Sequence, residues 1–498
     1  MIAMNSPKKH HDQYKPSYKF DIKILNLAAC ILTGCVVWLI AFPTIGMPYS
    51  IANSEVRSQK LFLNLAKVTN VYPVAGADNN FFRSPENLSN EKVWSAVADI
   101  GIPVLRFPGG EANWYDWKTG AIVPGGRVIF EYMEASQPRI VPMDAFMFHA
   151  RAVGASVSYA LNIMDSPESI RELAFHWQQT NAPVYWVEMG SEHYHQRFWQ
   201  DIGGPTGYLQ RARQALQALR AGGFQGPVGI GLAPNYVPGR PDFGFGPPWN
   251  QEIAMAYTQD FDAVILHYYP NMIAIGFERT YQEGPAKLIT SIQRLRQQFP
   301  GKQVWVTEWN IGQPADSPEH NSLVHAIFDL RMLRALMESR VELACYHVLT
   351  GTGWELLGPD RLALEYINSS YPKMLRRVPY FAFKELLEAQ KNSAYMAEQF
   401  EFNGIEFMAF LLYGEVRVLA WTRNAISTQI DIELPGFTTQ FIGGEILRGN
   451  LLDKNGSLVR YAAYPPPWVE KILPKQIYNS VFNGPGIILL RFSAVLNA

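Results

Sequence analysis

From residue 102 to residue 346 one arrangement recurs: a short apolar run, a turn, then a longer stretch with apolar residues at helical spacing. The short runs are 102–107, 157–162, 184–188, 228–231, 264–267, 304–307 and 343–346. Helix-like stretches such as LQRARQALQALRAGG and LITSIQRLRQQF lie between them. Short strands that alternate with helices at roughly 40-residue spacing predict a parallel α/β fold, and the number suits a (β/α)8 TIM barrel over 61–390. The first strand is expected within Val71 to Ala77. A doubly wound sheet is the rival, but no glycine-rich dinucleotide loop follows the first clear strand to support it.

Beyond the helix-like YFAFKELLEA the texture changes. IEFMAFLL (405–412) and VRVLAW (416–421) read as paired strands, and GIILLRF (486–492) closes the chain. Short strands between turn residues predict a β-sandwich over 391–498.

The other end is different again. Lys8, Lys9, Lys15, Lys19 and Lys23 precede ILNLAACILTGCVVWLIAF, an uncharged run over 24–42. That run is long enough to cross a bilayer, and the basic tail 1–23 keeps its own side cytoplasmic. We expect a membrane anchor with the bulk of the chain extracytoplasmic, followed by a tether over 43–60. A cleaved signal ending near Ser50-Ile51-Ala52 gives a secreted protein instead, and Leu32-Thr33-Gly34-Cys35 resembles a bacterial lipobox.

Charge narrows the partners. The 43 Lys+Arg and 44 Asp+Glu nearly cancel, which excludes the basic footprint of a nucleic-acid binder. Three cysteines, two of them in the N-terminal run, leave Cys345 alone and offer no CxxC spacing. Cys345 reads as a small buried residue. Aromatics reach 13 %, with Trp114, Tyr115, Trp117, Trp249 and Trp354 in loops after strands, where they can stack on sugar rings or simply pack.

In a parallel barrel the reactive groups stand just beyond the C-terminal ends of the strands. Those positions hold Arg106-Phe107-Pro108-Gly109-Gly110-Glu111, then Asn162, Gly190-Ser191-Glu192, His267-Tyr268-Tyr269 and Thr307-Glu308-Trp309-Asn310. Glu192 and Glu308 thus point into one mouth from the fourth and seventh strands. Two carboxyls at one mouth can divide acid and nucleophile work between them, and an anionic Glu308 would raise the pKa of its neighbour Glu192 and keep it protonated. Glu192-His193-Tyr194-His195 invites a metal, but two histidines at i and i+2 lack a third convincing ligand, so neither metal nor cofactor is expected.

LRFPGG (105–110), MGSE (189–192), LHYY (266–269) and VTEWN (306–310), in this order, resemble the clan A glycoside hydrolases, and most closely family 51, the α-L-arabinofuranosidases, with families 39 and 79 as relatives. The resemblance covers about residues 70–390. It implies Glu192 as acid/base, Glu308 as nucleophile, and Arg106, His267 and Tyr269 around the sugar and the nucleophile. Asn162 and Trp309 join the candidate substrate contacts. The chain departs from the pattern at Ser191, where the family has Asn, and at Glu111, where it also has Asn. The family's first-strand Glu is not found in VAGADNNFF (74–82). These departures predict a retaining hydrolase of some other sugar or of a polymer. A non-catalytic glycan-binding or assembly protein on the same barrel is the rival.

Overall fold

The computed structural model describes residues 57–62, 68–69, 74–110, 112–122, 139–195, 198, 201–234, 246–256, 259–270, 272–312, 319–320, 322–350, 355–359, 374–391, 394–402, 404–424, 427–433, 437–448, 451, 469–472, 481–483 and 485–496. The tail 1–23 and the apolar run 24–42 lie outside these residues, as do Glu111 and Trp354. Among the described residues no helix is long and apolar enough to cross a membrane.

Eight strands close into a barrel: β1 Val74–Asp78, β2 Val104–Phe107, β3 Ser156–Leu161, β4 Val184–Met189, β5 Val228–Leu232, β6 Ala263–Tyr268, β7 Gln303–Trp309 and β8 Leu343–Tyr346. Each pairs in parallel with its sequence neighbours, and β8 returns to β1. The helices are α1 Glu91–Ile100, α2 Met143–Ala152, α3 Pro167–Gln179, α4 Gly204–Ala221, α5 Gly246–Ala256, α6 Met272–Gln298, α7 Leu323–Glu338 and α8 Val378–Gln390. Local chemistry starts and stops them. Asn90 and Ser166 cap α1 and α3 by accepting a backbone N–H, and Gly101 ends α1 at φ 72°. The first strand starts three residues later than the start of the stretch the sequence reading gave it, and it ends one residue beyond that stretch, on Asp78.

The barrel interior is layered. At its lower end Val104, Ala263, Ile265, Trp305, Leu343 and Cys345 form a separate apolar plug. Cys345 is fully buried there, as a small core residue. Above the plug the inward positions turn polar: Ser158, Glu188, Thr307, Arg106 and Asp78 are all buried. Between Ile265–Trp305 and His267–Glu308 the β6–β7 register slips. Such an irregularity re-aims side chains. Here it lets Thr307 and Glu308, consecutive residues, both meet interior groups.

The C-terminal part is a seven-stranded sheet built on 68–69, 394–402, 405–412, 415–422, 486–496, 437–448 and 469–472, with a second, three-stranded sheet. Period-two patterning serves two burials at once. Ile405, Phe407, Val416, Val418, Ile488 and Leu490 form their own cluster. The alternate residues Met408, Phe410, Leu419, Trp421, Ile487 and Leu489 join the main core of the barrel.

One boundary differs from the sequence reading. Arg57–Phe62 is a strand rather than tether, and it pairs in parallel with Ser427–Glu433. Val68–Thr69 pairs with Tyr395 and Met396. Residues 57–69 therefore supply strands to the C-terminal sheets, and the barrel starts at Val74. A strand whose partner lies hundreds of residues away leaves no local signature of that partner.

Candidate active site

Arg106, delivered by β2, is the hub. Its side chain is wholly buried. Nε donates to both oxygens of Glu188 at 3.0 Å, and Nη1 donates to Asp78 at 3.3 Å and to Glu308 at 2.7 Å. One guanidinium thus bridges three carboxyl groups from β1, β4 and β7. Burial alone would lower its pKa, but the Glu188, Glu308 and Asp78 carboxylates outweigh that and raise it further. Asp78 shows the mirror effect. Burial raises its pKa, and Arg106 with the hydrogen-bonding His347 more than reverses this. Ser158 and Thr307 hydroxyls also donate to Glu188, at 3.0 and 3.1 Å.

Glu308, from β7, accepts from Arg106 on Oε1 and from the Tyr269 hydroxyl on Oε2 at 2.8 Å. Both oxygens are held, so the carboxylate has a fixed aim. Tyr269 is half-buried, and desolvation with Glu308 and Glu192 near it pushes the phenol well above its usual pKa, so it stays a donor.

Glu192 follows β4 on a tight loop. Gly190 at φ 74° could not be another residue, because a Cβ there would lie 2.1 Å from the His193 ring. Glu192 itself sits at φ 52°, a left-handed value that costs an ordinary residue about 1 kcal/mol or more. Asn113 holds the loop: its Nδ2 donates to the Ser191 carbonyl at 2.6 Å, and its Oδ1 accepts from the Ser191 N–H at 3.0 Å. One oxygen of Glu192, one of Glu308 and a His267 nitrogen all lie within 4.8 Å of one another. That is close to the separation of a retaining pair.

His267 links the two. Its Nε2 meets the Thr307 hydroxyl at 3.2 Å, and Thr307 already donates to Glu188, so Nε2 carries a proton, and Nδ1 donates as well when the ring is charged. Nδ1 then faces Glu192 Oε1 at 3.0 Å and Glu308 at 3.5 Å. Burial would lower the pKa of His267, but Glu308 and Glu192 raise it. Glu192 goes the opposite way from the sequence expectation. Burial does push its carboxyl up, yet hydrogen bonds and charge from His195 and His267 win, and the net pKa lies well below the usual range. The two imidazoles, which the sequence reading named but did not weigh in this pKa, are the physical reason.

Other candidates fare differently. The Ser191 hydroxyl lies 3.5 Å from Arg106 Nη2. Asn162 spends its amide on backbone, donating to the Tyr115 carbonyl at 3.3 Å and accepting from Met164 N–H at 3.0 Å. Trp309 is fully buried in the main core, its ring edge-on to Tyr346, because the residue after Glu308 points out toward the helices. Trp249 and Tyr115 are core residues too, whereas Trp114 and Trp117 are half-buried. Trp114 packs on Phe198 with ring centres 5.2 Å apart. His193 is buried beneath the loop, between Phe198 and Tyr208, and burial with nearby Arg211 pushes its imidazole down to about 3.

Asp78, Glu308 and His347 likewise bring one oxygen or nitrogen each within 4.8 Å of the others. Arg106 Nη1 already holds Asp78 Oδ2 and Glu308 Oε1 of this group.

Several members of the site escaped the sequence reading. Asp78 stands on the first strand where a Glu was sought. Glu188 lies one inward position below the strand end. His347, at the end of β8, contacts Asp78 at 2.9 Å. Glu188 left a signal, since a carboxylate inside an apolar strand run needs a buried partner.

Sequence comparison finds no matching family model and no matching curated protein. Solved structures do match in fold. A family 51 α-L-arabinofuranosidase from Bifidobacterium longum aligns at TM-score 0.57 and 14 % identity, covering 86 % of this chain and 98 % of its own. A monomeric β-xylosidase from Caulobacter crescentus aligns at 0.56 and 14 %, covering 88 % and 99 %. A family 39 glycoside hydrolase from Xanthomonas axonopodis pv. citri aligns at 0.57 and 13 %, covering 90 % and 100 %. The chain therefore carries, over nearly the whole length of these neighbours, the barrel-and-sheet fold of the clan A glycoside hydrolases.

Proposed function

We propose that this chain is a retaining glycoside hydrolase, with Glu308 as nucleophile and Glu192 as acid/base. The observation that carries this reading is the pair of carboxyls, from β4 and β7, whose oxygens lie within 4.8 Å over the barrel mouth. Glu308, aimed by Arg106 and Tyr269, attacks the anomeric carbon while Glu192 gives its proton to the departing oxygen. Water then takes the reverse route, with Glu192 as base. The carboxyl groups around Arg106 offer negative charge where the oxocarbenium-like state builds positive charge.

The substrate we assign is a glycan outside the cytoplasm, with the chain held at the membrane by residues 24–42. The basic flank of that run supports the orientation. A pyranoside or a longer polymer suits the site better than an α-L-arabinofuranoside, because Ser191 offers no amide to a sugar hydroxyl and its own hydroxyl lies beside Arg106. Kinetics on aryl arabinofuranosides, xylosides, glucosides and glucuronides test both levels. Turnover that vanishes in Glu308→Ala supports the hydrolase, and no turnover on the panel or on glycan polymers rejects it. A tenfold preference for the arabinofuranoside rejects the substrate assignment.

A further inference from the structure

The two oxygens of Glu192 are unequally engaged. Oε1 meets the Tyr194 hydroxyl at 2.9 Å and His267 Nδ1 at 3.0 Å, whereas Oε2 meets, among the described residues, His195 Nε2 at 3.0 Å. An acid must present its proton from one oxygen, and Oε2 is the one with a lone-pair direction to spare. The group beside that oxygen is an imidazole three residues along the same loop, 12 % exposed where Glu192 is 24 % exposed. Nothing in the double-displacement scheme uses it.

We propose that His195 shares the transferable proton with Glu192, so that the acid/base of this site is a carboxyl–imidazole pair. The proposal rests on reading Glu192 as the acid/base. The pair holds one proton, on Glu192 Oε2 or on His195 Nε2. In glycosylation the proton passes from Oε2 to the departing oxygen as the glycosidic C–O bond breaks and Glu308 bonds to the anomeric carbon. Glu192 is left ionised beside a neutral ring. In deglycosylation the attacking water gives its proton to Oε2 as its oxygen displaces Glu308, and the pair is restored. His195 touches no substrate atom in this scheme. It is a positioning residue that governs how far up in pH the pair keeps its proton.

A lone glutamic acid gives up its proton near pH 4, and an imidazole near 6.5. A coupled pair titrates as a unit, so its single proton is lost only when the second group lets go. Against the effect of burial, hydrogen bonds from His195 and His267 hold the Glu192 carboxyl low. Among the described residues the other titratable groups facing this pair are His267 on β6, Glu308 on β7, Tyr269 and Tyr194.

Two measurements on the full chain test this. The first is kcat/KM against pH for the best aryl glycoside of the panel, in the wild type and in His195→Gln. The alkaline limb should move to lower pH by about one unit, raising the ratio of activity at pH 5 to that at pH 7 about tenfold or more. Superimposable profiles overturn the proposal. The second needs no turnover: the His195 ring 15N signals are titrated in the wild type and in Glu192→Gln. The midpoint should fall in the variant by about half a unit or more, and an unmoved midpoint overturns proton sharing. A moved midpoint in a protein that hydrolyses no glycoside leaves the shared proton standing and removes the hydrolase reading. Hydrolysis with an unmoved midpoint does the reverse. His195→Asn, followed by the same kcat/KM profile against pH, separates the lost ring from a misfolded loop.

Discussion

Two buried charge clusters in this protein are built on opposite plans. At the barrel mouth one arginine serves three carboxyls, Asp78, Glu188 and Glu308. At the seam between barrel and C-terminal sheet, two arginines of α7 serve one carboxyl. Arg331 and Arg334 meet Glu406 at 3.0 and 2.9 Å, and each also lies over an aromatic ring, Tyr281 or Trp421. The seam thus joins ion pairs to stacking. Among the described residues the mouth gathers its acceptors around one guanidinium with no such stacking. An assembly for stability distributes its charges among partners that satisfy them, whereas the proposed glycoside cleavage needs negative charge close to where a positive centre develops.

The largest expected effect follows from the mouth. Glu308→Ala should lower kcat by about 10⁴-fold or more while leaving the thermal midpoint near that of the wild type, because under the proposed mechanism its loss removes the nucleophile. A variant that keeps its turnover would erase the functional half of the contrast.

Glu192→Ala comes next. On substrates with poor leaving groups it should lose about 10²–10⁴-fold, and on activated aryl glycosides much less, with added azide restoring part of the rate. Equal losses on both kinds of substrate would take the acid role away from Glu192.

Stability separates the clusters directly. Arg106→Met strands three carboxyls in a buried site and should cost about 3–5 kcal/mol in denaturant unfolding. Glu406→Ala leaves two partly exposed arginines that keep their aromatic contacts, so about 2 kcal/mol is expected. If the seam variant proves the more damaging, the contrast is inverted.

The smallest effect is a pH slope. At the seam, burial and the neighbouring Glu445 carboxyl push Glu385 on α8 up to about 9. A carboxyl whose folded pKa lies above its unfolded value binds more protons in the native state, so stability falls as pH rises between about 4.5 and 9. The slope for one proton is at most about 1.4 kcal/mol per pH unit. Glu385→Gln should flatten that decline and gain stability at pH 8 relative to the wild type, as read by urea unfolding at several pH values. An unchanged slope would show that the two carboxyls do not share a proton.

Much of this was legible before any coordinates. The seven strand runs, the carboxyls at the fourth and seventh strand ends, and the Arg106, His267 and Tyr269 positions follow from one rule, that barrel strands point their C-terminal ends at the site. What stayed hidden follows from the limits of that rule. It names strand ends and misses Glu188, one inward position below. It takes Trp309 along with Glu308, although alternation turns them to opposite sides. It says nothing about loop conformation, so it missed His195 folding back onto Glu192, and with it the direction of the Glu192 pKa. The wide pairing of 57–69 is invisible for a different reason: local pattern carries no address for a remote partner.

That pairing sets a schedule for biosynthesis. Arg57 leaves the ribosome about 370 residues ahead of Thr428, the residue it pairs with. At cellular elongation rates the early strand spends roughly 20–70 s without its mate. The barrel strands, each adjacent to the next in sequence, can close during that interval. The last act of assembly is then a fastening of the two ends of the described chain, and a nascent Arg57–Phe62 edge is the segment most in need of protection until it happens.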